Sequence, residues 1–89
     1  MNILIVGYGV QGKKREKALK NLNLPCIGIV DPISQYANFK SLNNVPLKIY
    51  DAVIICTPEN VKYKIIKFCL KNHKHIMVEK PFIINEKIF

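Results

Sequence analysis

The chain has 89 residues, 49% of them hydrophobic and 22% charged, and a formal net charge of +8. That length gives one domain at most, with a modest buried core. No low-complexity tract is present, and no apolar run approaches the roughly 20 residues that cross a bilayer, which excludes a helical membrane span and leaves the cytoplasm as the expected compartment.

Asn2 to Val6 is short, β-branched and almost wholly apolar, the pattern of a buried parallel strand. It runs straight into Gly7-Tyr8-Gly9-Val10-Gln11-Gly12. A helix is expected from Val10 to about Asn21, with a thin apolar face of Val10, Ala18, Leu19 and Leu22. Lysines cover the rest of it, and their stems can shield apolar surface. Asn21, Asn23 and Pro25 break the pattern. Cys26 to Val30 is a second buried strand, with Asp31 at its C-terminal end. Between Pro32 and Pro46 the pattern is weakest. Ser34 suits the cap of a short helix reaching Lys40. Asn43-Asn44 signals a turn, and Val45 to Ile49 a short edge strand, where Pro46 is tolerated. Ala52 to Cys56 reads as a central strand ended by Thr57-Pro58.

Glu59 to Asn72 is the clearest helix, with Val61, Ile65, Phe68 and Cys69 at helical spacing on its apolar side. Glu59 in the first turn and Lys71 in the last suit the helix dipole. Ile76 to Val78 is a fifth strand, leading to Glu79-Lys80-Pro81. Strands alternating with helices predict an α/β fold: a Rossmann-type doubly wound parallel sheet of about five strands, in the order 3-2-1-4-5. Residues 1–89 then form a single dinucleotide-binding domain.

The glycine run fits the chemistry of a dinucleotide pyrophosphate. Gly7 allows a tight turn out of the strand, Gly9 lets phosphates approach the backbone, and Gly12 lets the next helix pack closely. The N-terminus of that helix then points free N–H groups and its positive dipole end at the anion. Asp31 follows nineteen positions past Gly12, where an acid accepts hydrogen bonds from the adenosine ribose. A carboxylate there favours NAD and repels the 2′-phosphate of NADP.

Lys13, Lys14, Arg15, Lys17 and Lys20 crowd the first helix, and Lys62, Lys64, Lys67 and Lys71 the second. Such charge suits nucleic acid or phosphate-bearing ligands. No aromatic-plus-basic sheet motif and no recognition helix supports nucleic acid. Cys26, Cys56 and Cys69 are an odd count at wide spacing, without a metal or redox motif, and read as reduced, largely buried thiols. No residue set suggests a metal site, His73 and His75 included.

Taken together, the Gly7–Gly12 turn, Asp31, the strand end Cys56-Thr57-Pro58 and His75-Ile76-Met77-Val78-Glu79-Lys80-Pro81 resemble the N-terminal domain of the glucose–fructose oxidoreductase / inositol dehydrogenase (Gfo/Idh/MocA) family. The resemblance implies an NAD(P)-dependent dehydrogenase acting on a sugar, nucleotide sugar or polyol. It implies cofactor contacts from Gly7, Tyr8, Gly9, Val10, Gln11, Gly12, Asp31, Cys56, Thr57, Pro58, Glu79 and Lys80, with Lys80 also the catalytic residue. Lysine suits that role, since its ammonium stabilises developing alkoxide charge and desolvation lowers its pKa.

Glu59 and Lys62 stand where such proteins often carry asparagine and histidine, and Asn72-His73 where the helix usually ends in glycine. The second, substrate-binding domain of the family does not appear in the 89 residues. The expectation is a truncated or split dehydrogenase that binds cofactor without completing catalysis, and that self-associates or meets a complementing chain. Three alternatives stand beside it: a dinucleotide-binding module without chemistry, a basic nucleic-acid module, and an enzyme of another glycine-turn class. Gly-Tyr-Gly-X-Gln-Gly also resembles the turn of ketol-acid reductoisomerases, against which Asp31 and Glu79-Lys80-Pro81 argue.

Overall fold

The computed structural model describes residues 1–78. Strand β1 (Ile3–Val6) leads through the glycine turn into helix α1 (Val10–Asn21), followed by β2 (Cys26–Val30). Two short 3₁₀ turns, Leu42–Asn44 and Leu47–Ile49, precede β3 (Ala52–Ile55), helix α2 (Glu59–Lys71) and β4 (His75–Val78). The four strands form one parallel sheet in the order β2-β1-β3-β4. Chain order reverses between β1 and β3, and in open parallel sheets ligands bind outside the strand ends at that switch point.

Strand alternation divides the core between the two faces of the sheet. Leu4, Val6, Val53 and Ile55 face one way and pack with Ile66 and Cys69 of α2, and with Leu42, Val45 and Tyr50. Ile3, Ile5, Ile29 and Ile54 face the other way and pack with Leu19 of α1. The helices thus cover opposite faces, as a doubly wound sheet requires. The central strands β1 and β3 are buried on both sides, which explains their unbroken apolar runs.

Three sequence expectations change. Val45 to Ile49 is not a strand, so the described sheet has four strands and not five. Val45 and Tyr50 anchor this stretch in the core at 4% and 1% exposure. Between them the ammonium of Lys74 donates to the carbonyl oxygens of Leu47 and Tyr50, at 2.6 and 2.7 Å, and lies 4.6 Å from the centroid of the Tyr50 ring. Pro46 offers no N–H to a ladder, so the backbone closes into a turn. The order of the remaining strands is the one expected.

The short helix from Ser34 to Lys40 is also absent. Its residues serve the outer edge of β2, where Asn38 and Phe39 both donate their N–H to the Ile29 carbonyl. The Asn38 side chain accepts from the Ile29 N–H at 2.9 Å, and Phe39 bridges Val30 in parallel. Were these residues helical, that edge would lose its partners.

Third, α2 is rotated by one residue from the expected stripe. Lys62, Ile66 and Cys69 are its buried line, while Val61 is 39% exposed and Ile65 and Phe68 are half-buried. At the end of α2, the left-handed residue is His73 (φ 57°), and Asn72 instead caps by donating its side-chain amide to the Phe68 carbonyl. On α1, Leu19 is buried, whereas Val10 and Leu22 are 70% and 67% exposed.

Candidate dinucleotide site

A cleft of about 770 Å³ opens at the C-terminal ends of β1 and β3. Gly7, Tyr8 and Gly9 form its floor on one side, Asp31 its β2 end, and Cys56, Thr57 and Pro58 its β3 end. Seven of the residues picked from sequence therefore meet in one place. Val10, Gln11 and Gly12 form the first turn of α1 just behind the glycine floor and do not line the cleft. Glu79 and Lys80 lie outside the described residues.

The three glycines do different work. Gly7 has φ +95°, a conformation that L side chains rarely adopt. A Cβ there would also lie 2.8 Å from the backbone carbonyl of Cys56. Its N–H donates to the Val30 carbonyl at 2.7 Å, while the Cys56 N–H donates to Val6 at 2.8 Å, so the turn is fastened to both neighbouring strands. A Cβ on Gly12 would collide with the Gly7 carbonyl oxygen, so α1 packs against the turn itself. Gly9 is the opposite case: a Cβ there would meet nothing within 4 Å, because that face is open cleft.

Gly9 is also the N-cap of α1, with no side-chain cap and no acid in the first turn. The first N–H groups of a helix lack partners within it, and no acidic side chain stands in this first turn to answer them. Helix α2 differs, since Glu59 already stands in its first turn.

Asp31 fastens two loops together. Its Oδ2 accepts the Tyr8 N–H at 2.8 Å, and its Oδ1 accepts the N–H groups of Ile33 and Ser34 at 2.8 and 2.9 Å. Burial alone would raise its carboxyl pKa. The backbone N–H groups of Tyr8, Ser34 and Ile33, with the charge of Lys40, outweigh burial and hold it below the ordinary 3.8. The Tyr8 hydroxyl donates to Glu16 of α1, and this hydrogen bond, more than burial or the Glu16 charge, raises the tyrosine pKa. Tyr36 packs edge-on against the Tyr8 ring at 6.4 Å, and the Lys13 ammonium lies 5.7 Å from its centroid.

At the β3 end, Thr57 Oγ1 is buried and has no hydrogen-bond partner among the described residues. The core hydroxyl of Tyr50 is in the same state, although buried hydroxyls are normally satisfied. Cys56 is half-buried beside Thr57. The far wall was not anticipated: Leu42, Val61, Ile65 and Phe68 make it apolar, and Lys40 and Lys64 stand with them. The signal for that wall was the Val61–Ile65–Phe68 stripe, an apolar face that lines the cleft while Ile65 and Phe68 also pack against the core.

Among the described residues, no group of three or more His, Cys, Asp or Glu could hold a metal ion, and no helix is long and apolar enough to cross a membrane. The family model GFO_IDH_MocA, described as an oxidoreductase family with an NAD-binding Rossmann fold, matches residues 1–87. No curated protein matches the chain. Among solved structures, the UDP-N-acetylglucosamine 3-dehydrogenase GnnA from Acidithiobacillus ferrooxidans is similar with a TM-score of 0.82 and 21% identity, over 99% of this chain and 32% of that one. The WlbA (WbpB) dehydrogenase from Thermus thermophilus, in complex with NAD and UDP-GlcNAcA, is similar with a TM-score of 0.76 and 17% identity, over 99% of this chain and 35% of that one. The chain thus spans about a third of the length of these structures.

Proposed function

This chain belongs to the Gfo/Idh/MocA oxidoreductase family as its NAD-binding Rossmann domain, and from that premise we propose that it binds NAD across the β1–β3 cleft for a dehydrogenase acting on a nucleotide sugar or related sugar. The carrying observation is the open face of Gly9 at the uncapped N-terminus of α1. A pyrophosphate fits there because it brings the negative charge that the helix end lacks. The N–H groups of Val10, Gln11 and Gly12 would turn towards it. Asp31 would accept a hydroxyl of the adenosine ribose, and its carboxylate favours NAD over NADP. Thr57, whose hydroxyl has no partner among the described residues, would hold the nicotinamide ribose together with Cys56 and Pro58.

Bound NAD would supply the acceptor for a hydride from the carbinol carbon of the substrate. We assign Lys80 to orient the substrate hydroxyl and receive its proton, and Glu79 to contact the cofactor. Nucleotide sugars enter as the substrate class because one structural relative is a UDP-N-acetylglucosamine 3-dehydrogenase and the other a dehydrogenase in complex with UDP-GlcNAcA. On their own the 89 residues are expected to bind cofactor without turnover.

The exposed apolar side chains Leu22, Leu24 and Met77, at 67%, 44% and 48% exposure, line a groove between α1 and β3–β4 and favour self-association or a complementing chain. A monomer at all concentrations in sedimentation would remove that part of the reading. The test of the main reading is calorimetric titration of the chain with NADH. Saturable one-site binding is expected, and a folded chain that binds no NADH refutes it.

A further inference from the structure

The β2 end of the cleft holds a second feature that bears on which dinucleotide enters. An ionised carboxylate offers about four acceptor positions. Three of those on Asp31 are already taken by the N–H groups of Tyr8, Ile33 and Ser34. It therefore has room for one ribose hydroxyl and not for a pair, and the rest of the ribose edge must meet another group.

Lys40 stands at that place. It lines the cleft with Asp31, and its Nζ donates to the Ser34 carbonyl at 3.4 Å, while the Ser34 N–H donates to Asp31 at 2.9 Å. The ammonium and the carboxylate thus flank one residue from opposite ends of its backbone. The Ser34 contact is long and occupies one of the three donors of the ammonium. Lys40 is an exposed residue on a flexible stem, so its charge can move along the rim. Among the described residues lining the cleft, Asp31 is the sole acid and Lys40 and Lys64 are the bases, so the site is net cationic.

We propose that Lys40 sets the cofactor choice of this domain, by pairing with a phosphate on the 2′ position of the adenosine ribose and so reducing the preference for NAD that Asp31 creates. The proposal rests on the placement of the dinucleotide given above. With Lys40 in place, NADPH binds within about tenfold of NADH, because one partly exposed cation offsets much of the repulsion from one carboxylate.

The experiment is a pair of calorimetric titrations, with NADH and with NADPH, on the wild-type chain, Lys40→Ala and Lys40→Arg. Far-UV circular dichroism checks that each is folded, which the exposure of Lys40 leads one to expect. Lys40→Ala should weaken NADPH about fivefold and NADH less than twofold, and Lys40→Arg should restore NADPH binding. The NADPH effect should shrink in high salt, where an exposed ion pair is screened. NADH binding with NADPH more than a hundredfold weaker, or an equal loss of both in Lys40→Ala, overturns the proposal and leaves the placement standing. If neither nucleotide binds the folded wild-type chain, the placement and the proposal fall together.

Discussion

Replacing Gly9 with alanine separates folding from binding at a single atom. The new Cβ would meet no protein atom within 4 Å. The backbone at Gly9 has φ −88° and ψ −150°, outside the left-handed region, so alanine adopts it without the strain that Gly7 would impose. Removing a glycine from the unfolded chain stabilises by about 0.4–1 kcal/mol. Alanine is a poorer N-cap than glycine, which costs about as much. The two effects cancel to within about 1 kcal/mol, and urea unfolding should show little change. Binding should behave otherwise. A methyl group on this face holds an anion away from the N–H groups of α1, which need a donor–acceptor distance of about 2.7–3.2 Å. One lost hydrogen bond to a charged group is worth about 1.5–3 kcal/mol, so NADH affinity should fall about ten- to a hundredfold. Valine should extend the loss. Unchanged NADH affinity in the alanine variant would refute the placement of the pyrophosphate, and a large loss of stability would refute the open geometry of the turn.

Gly12→Ala should give the opposite signature. Alanine in a helix interior ordinarily gains about 1 kcal/mol over glycine, but here its Cβ runs into the Gly7 carbonyl, and overpacking costs about 1–3 kcal/mol. A net fall in Tm is expected in a thermal scan, and a rise would contradict the close approach of α1 to the turn. Asp31→Ala should destabilise the chain by about 1–3 kcal/mol at neutral pH, since three N–H groups lose a charged acceptor. The folded pKa of Asp31 is depressed, so its contribution is present above the unfolded value near 3.8 and is lost as pH falls through the lower folded value. The gap between wild type and Asp31→Ala in urea midpoint should therefore narrow below that window, and a gap independent of pH would show that the carboxylate charge is not what fastens the turn.

The regular part of the fold was legible because one rule governs it. β1, β2 and β3 are buried on both faces or nearly so, and their unbroken apolar runs carry that information locally. The glycine turn was legible from its spacing directly after β1: Gly7 and Gly12 answer steric demands, and Gly9 leaves an open face. Residues 32–50 were not, because their structure is dictated from a distance. Asn38 and Phe39 are held by the edge of β2, and the 3₁₀ turn at Leu47–Ile49 is closed by Lys74, which stands 27 positions on from Leu47. No local propensity reports such partners. The rotation of α2 was hidden by composition. The helix has apolar residues on two adjacent lines, and the buried one contains Lys62, at 5% exposure, so the line without a lysine looked like the core.

That rotation bears on the site. Val61, Ile65 and Phe68 line the cleft, so its far wall is apolar, while the glycine floor carries the uncapped N-terminus of α1. A ligand that matches both must carry phosphate at one part and a flat apolar surface at another, which a free phosphate does not and a nucleotide does. Asp31 adds the element of order. Its carboxylate ties the glycine turn to the loop after β2 without any ligand, so on the proposed placement little ordering entropy would remain to be spent on binding. On the proposed placement, the same acid would read the ribose and hold the cradle for the phosphates. Loss of Asp31 should therefore weaken NADH more than the removal of one ribose contact, which Asp31→Asn, keeping an acceptor for part of the backbone, would distinguish from Asp31→Ala by a smaller loss.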